Sequence, residues 1–134
     1  MRKTASETFA SPSVPSFPAD RLLAYRVARE VLAEVARVSR SWHGRASLRS
    51  QALDAAESVV LNLGEGAAQL PRSGAKRRHY VIALGSADEV GAALDAAQAQ
   101  GLSPAAELDV LRVSVARCAA LVGGLVRSAT ARRR

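Results

Sequence analysis

Apolar residues recur at alternating steps of four and three along most of this chain, and that spacing admits one kind of fold. Ala24, Ala28, Val31, Val35, Val38 and Trp42 line up on one helical face, because 3.6 residues per turn bring such positions into register. Arg26, Arg29, Glu30, Glu34, Arg37 and Arg40 occupy the remaining surface. The spacing predicts a first helix over about 20–42, with Asp20 as its N-cap and His43-Gly44-Arg45-Ala46 as the turn after it.

A second helix is expected over about 47–68, with Leu48, Ala52, Ala55, Val59 and Leu63 as its stripe. Val60 and Leu61 widen that stripe beyond one face, as in a helix buried on more than one side, either central in a bundle or at a contact between copies. Pro71 ends it. Ser73 is the expected N-cap of a third helix that reaches about Gln100, with Tyr80, Ala83, Leu84, Ala87, Val90, Leu94 and Ala97 inward. Gly85, Ser86, Gly91, Ala92 and Ala93 are small enough for close helix crossings, and Gly101 is a natural C-terminal cap. Ser103-Pro104 opens a fourth helix, Ser103 as N-cap, with Leu108, Leu111, Val115, Cys118, Val122 and Leu125 as its stripe. Gly123-Gly124 costs about 1 kcal/mol per glycine relative to alanine, so a close neighbour or a frayed end is expected there.

No strand alternation competes with this pattern. Four long helices joined by short turns pack as an all-α, antiparallel up-down-up-down four-helix bundle over 20–130. Residues 1–19, with Pro12, Pro15 and Pro18, read as a disordered or extended arm, and 131–134 as a basic tail. The 134 residues are 49% hydrophobic, mostly Ala, Val and Leu, and only 4% aromatic. That suffices for one core of closely approaching helices. The formal net charge of +7 suits a polyanionic partner or simply a soluble surface. So few aromatics argue against base-stacking modules, so nucleic-acid contact is expected at the backbone.

Cys118 is the single cysteine; it forms no internal disulfide, and the chain fits a reducing cytoplasm. No signal peptide shows in 1–19, and the apolar stretch 110–126 carries Arg112 and Arg117, so no membrane span is expected. No catalytic or metal site is expected either. None of Glu30, Glu34, Glu57, Glu65 or Glu89 has the histidine three residues on that a di-iron bundle needs. Cys118 lies mid-stripe without a nearby histidine, and no cofactor loop is present. His79 beside Tyr80 reads as part of a basic patch before it reads as a general base.

Two features remain. Asn62 and Glu65 share one face of the second helix, and Ser86 and Glu89 share one face of the third. If those faces meet, they form a polar seam, which reads as a device that fixes helix register or, alternatively, as a ligand site. The second feature is Lys76-Arg77-Arg78-His79 in the first turns of the third helix. Cations there oppose the helix dipole by about 0.3–1 kcal/mol each. Lys76, Arg77 and Arg78 therefore read either as phosphate contacts, extended by Arg132, Arg133 and Arg134 if the chain end folds to the same side, or as a solvated charge run.

The run Asn62-Leu63-Gly64-Glu65-Gly66 resembles the Asn-Ile-Ala-Glu-Gly motif of the 23S rRNA intervening-sequence proteins. Ile82-Ala83-Leu84-Gly85-Ser86-Ala87-Asp88-Glu89 resembles that family's Ile-Ala-x-Gly-Ser-x-x-Glu motif, and Ala92-Ala93-Leu94-Asp95 and Gly101-Leu102 continue it in order. The resemblance covers about 20–128. The basic pair that the family often carries after the glutamine of its second helix is missing, since Gln51 is followed by Ala52, Leu53 and Asp54. The resemblance implies an antiparallel four-helix bundle assembled as a homopentamer, without enzymatic activity. It also implies a place beside RNA or DNA, in some relatives as an accessory protein of a reverse transcriptase.

Overall fold

The computed structural model describes residues 14–130. Within them the chain forms a 3-10 turn, Pro18–Arg21, and four long helices: α1 (Leu23–Val38), α2 (Ala46–Ala68), α3 (Gly74–Ala99) and α4 (Ala105–Thr130). A second 3-10 turn, Ser39–Ser41, tightens the end of α1.

The apolar stripes turn inward as the periodicity requires, with Leu48, Leu84 and Leu125 only partly buried at their margins. Ala24, Ala28, Val31, Val35, Val38 and Trp42 are buried, as are Ala52, Ala55, Val59 and Leu63 on α2. Tyr80, Ala83, Ala87, Val90, Leu94 and Ala97 face them from α3, and Leu108, Leu111, Val115, Cys118 and Val122 from α4. Each helix packs on two others: α1 and α3 both lie between α2 and α4. Side-chain bonds give the directions. Arg112 meets Asp95 and Arg77 meets Thr130, so α3 and α4 run antiparallel. Arg37 meets Glu107, and Trp42 Nε1 donates to Ser103 Oγ at 2.9 Å, so α1 and α4 do too. The result is the antiparallel four-helix bundle that the stripes imply.

Several details differ from the sequence reading. Asp20 does not cap α1. Its carboxylate accepts the Phe17 N–H at 2.8 Å and closes the 3-10 turn, which begins at Pro18 and buries Ala19; α1 starts after Leu22 without a side-chain cap. The first stripe continues to Trp42, but through the 3-10 turn Ser39–Ser41 and not as α-helix. Ser103 is not the N-cap of α4, which begins at Ala105 directly after Pro104; the first helical bonds run from the Glu107 and Leu108 N–H groups to the Pro104 carbonyl, and the Ser103 hydroxyl accepts from Trp42 Nε1. Leu61, expected to widen the buried stripe, is 63% exposed. Gly101 does cap α3: at φ 68°, with the Leu102 N–H on the Ala97 carbonyl and the Gly101 N–H on the Gln98 carbonyl, it completes a Schellman motif.

Candidate nucleic-acid interface and polar seam

One end of the bundle brings together the close of α2, the start of α3 and the last turn of α4. Between α2 and α3 the chain reverses through Leu70-Pro71-Arg72-Ser73, closed by the Ser73 N–H on the Leu70 carbonyl at 3.1 Å. Pro71 presets the first corner of such a turn, and the second corner requires a positive φ. Arg72 occupies it at φ 60°, where glycine is the usual residue. Ser73 then caps α3 by accepting the Lys76 N–H at 3.1 Å.

The basic run that follows has a local reason that only the packing shows. Lys76 Nζ donates to the Gly66 carbonyl at 2.7 Å and to the Ala67 carbonyl at 3.3 Å, and it lies 5.4 Å from the Tyr80 ring centre. It thus adds a second donor to the Gly66 carbonyl, which also accepts the Gln69 N–H, and reaches the Ala67 carbonyl at the C-terminus of α2. Its burial lowers its pKa below that of an ordinary lysine. Arg77 Nε donates to Thr130 Oγ1 at 2.7 Å, at the C-terminus of α4. Cations that oppose the dipole of α3 are therefore favourable to the two helices ending beside it. Lys76 and Arg77 still oppose the dipole of α3, but their bonds to α2 and α4 give that placement a structural reason that does not depend on phosphate. Arg78 and Arg127 are exposed. Arg132, Arg133 and Arg134 lie outside the described residues.

Gly66 belongs to the same constellation. A Cβ there would stand 2.7 Å from Tyr80 Cε1 and 3.2 Å from the His79 Cβ. Glycine is what lets the Tyr80 ring lie against α2 and places Lys76 over the helix end.

The seam between α2 and α3 also forms, through members that the sequence reading omitted. Ser58 Oγ and Ser86 Oγ are 2.7 Å apart. Asn62 Nδ2 donates to the Ser58 carbonyl at 2.9 Å and to Ser58 Oγ at 3.2 Å. Asn62 Oδ1 and Glu65 Oε1 lie 3.0 and 3.4 Å from His79 Nδ1. Two acceptors at that nitrogen require it to carry the hydrogen. Ser58 thus links Asn62 to Ser86, and His79 brings in Glu65; Glu89 is exposed and outside the chain of bonds. Ser86 is buried and Asn62 half-buried. Ser58 had one readable signal, its place one turn before Asn62.

Chemically this is one connected set of side chains, open to solvent at Glu65. Within it His79 Nδ1 is bonded to Asn62, and the serine hydroxyls are bonded to each other and, through Ser58, to Asn62. Burial pushes the Cys118 thiol up to about 11, which keeps it neutral and unreactive near pH 7. Among the described residues no three metal-ligating side chains cluster, and no helix is long and apolar enough to cross a membrane.

A family model described as 23S rRNA-intervening sequence protein matches residues 20–124. No curated protein matches the chain.

Proposed function

The chain belongs to the 23S rRNA-intervening sequence protein family, and from that premise we propose that it is a non-enzymatic, self-assembling accessory protein that binds RNA or DNA through its basic bundle end. The observation that carries this reading is the grouping of Arg72, Arg77 and Arg78 at that end, with Arg72 in a left-handed conformation. A residue with a Cβ there costs about 1–2 kcal/mol, so a guanidinium is held where the backbone favours glycine. Arg77 holds the end of α4 close by. Lys76 adds charge, although its ammonium is engaged by helix carbonyls. With 4% aromatic residues, contact is to phosphates. In an assembly of copies, five by the resemblance, the patch repeats and weak contacts add through avidity. Such a protein works in the cytoplasm beside a nucleic-acid enzyme, a reverse transcriptase being the one the resemblance suggests.

A protein–protein scaffold is the second reading. It is favoured by the duty that Lys76 and Arg77 already perform at helix C-termini. Fluorescence anisotropy with RNA and duplex DNA across a salt series separates the two. Changing Arg72, Arg77 and Arg78 together to Gln weakens binding similarly for all sequences and flattens the salt dependence, by about 0.9 in log–log slope per lost phosphate contact on duplex DNA. Equal affinity of parent and triple variant at every salt concentration leaves the scaffold reading.

A further inference from the structure

The surface carries two apolar patches on opposite sides of the bundle. On the α2/α3 side Leu61 is 63% exposed and Ile82 is 44% exposed, and they flank the polar seam. Gly85, one turn beyond Ile82, has nothing within 4 Å of where a Cβ would stand. A glycine inside a helix costs about 1 kcal/mol relative to alanine, and no neighbour within the monomer requires this one. On the far side, the outer face of α4 presents Val110 and Val113, 71% and 70% exposed. Ala106 and Arg117 extend the same line at steps of four, opposite the buried Leu111, Val115 and Cys118.

The charges around the two patches are complementary. Glu57, Glu65 and Glu89 are exposed around Leu61 and Ile82 with a single cation, Arg78, one turn before Ile82, while the α4 line carries exposed Arg117 with Asp109 at its edge, so the first patch is acidic in balance and the second is not. Pairing the α2/α3 face with its own copy would bring three carboxylates from each side into a desolvated contact with only Arg78 from each to offset them. Pairing it with α4 sets a guanidinium among them and puts valine side chains against an open glycine, where a second helix approaches closely. We propose that the α2/α3 face of one copy seats the outer face of α4 of a second copy, head to tail. The inference rests on the self-assembly reading above and adds which surfaces meet. Because the two surfaces differ, each copy offers one of each, and the contact propagates to a ring or filament.

The test is sedimentation of the full chain at micromolar concentration, with circular dichroism as a check that each variant is folded. The parent sediments at a multiple of 14.1 kDa. Leu61→Glu and Val113→Glu each sediment as monomers, and an equimolar mixture of the two gives a heterodimer, since one intact face remains on each. Gly85→Leu and Val110→Glu form a second such pair if a member of the first does not fold. An oligomeric parent whose Val113→Glu variant assembles normally overturns the pairing and leaves self-assembly standing. So does a mixture that stays monomeric. A monomeric parent overturns self-assembly itself, and the pairing with it.

Discussion

Residues 62–66 on α2 and 82–89 on α3 line the same seam, yet their side chains have opposite destinations. In the first, Leu63 is fully buried, Asn62 is bonded along its own helix and to His79, and Gly66 makes room for Tyr80. Leu61, just before it, faces solvent. In the second, Ala83, Ser86 and Ala87 turn inward, but Ile82, Gly85 and Glu89 face solvent. The α2 segment is explained almost wholly by one copy of the chain. The α3 segment is explained only in part, and its unexplained residues lie beside Leu61. A motif in a small bundle can thus specify internal packing at one end and leave a surface for a partner at the other.

The sharpest break of this comparison is between two leucines two residues apart. Leu63→Ala opens a cavity in the core and lowers unfolding stability by about 2–5 kcal/mol. Leu61→Ala changes it by no more than about 0.5 kcal/mol in the monomer. Chemical denaturation of both variants under dilute conditions measures the difference, and equal losses would contradict the inward–outward division.

The two glycines give the next largest contrast. Gly66→Ala forces the Tyr80 ring aside, which costs about 1–3 kcal/mol. Gly85→Ala meets no atom within the monomer and stabilises it by up to about 1 kcal/mol. A thermal melt in which both variants shift in the same direction would show that Gly85 already has an internal neighbour.

Lys76→Met removes the ammonium from the carbonyls of Gly66 and Ala67 while keeping much of the stem. A loss of about 1 kcal/mol is expected, in the range of a helix C-terminal charge. Hydrogen exchange at the last turn of α2 should rise with it. Unchanged exchange there would mean that the lysine is not the cap.

Asn62→Leu has the smallest effect on stability, because α2 and α3 still bury their stripes. Its effect is on register, since Ser58 and His79 each lose a partner. The readout is the hydrogen-bonded His79 imidazole Nδ1–H resonance, which should broaden or vanish. A sharp, unshifted signal would show that Glu65 alone orients the ring. The same variant, with fold and mass unchanged but a measured catalytic activity lost, would revive an enzymatic role for the seam.

Sequence by itself determined the four helices, because amphipathic periodicity is a local property and each stripe had to be covered. Pro71, Ser73 and Gly101 marked helix ends through chemistry that acts within a few residues. Their turns needed no distant contact. Tertiary structure alone decided what the polar groups do. Lys76 and Arg77 oppose the dipole of their own helix, and their favourable partners, the carbonyl ends of α2 and Thr130 at the end of α4, arrive only when antiparallel neighbours bring their C-termini alongside. Ser58 and His79 entered the seam, and Glu89 stayed out, because helix rotation sets which side chains meet between two helices, and rotation depends on how both cores pack. Leu61 widens the apolar character of α2 but stands off its stripe. Its exposure follows from its place on the helix opposite Ala52, Val59 and Leu63, a direction that acquires meaning only once α1, α3 and α4 fill the other side.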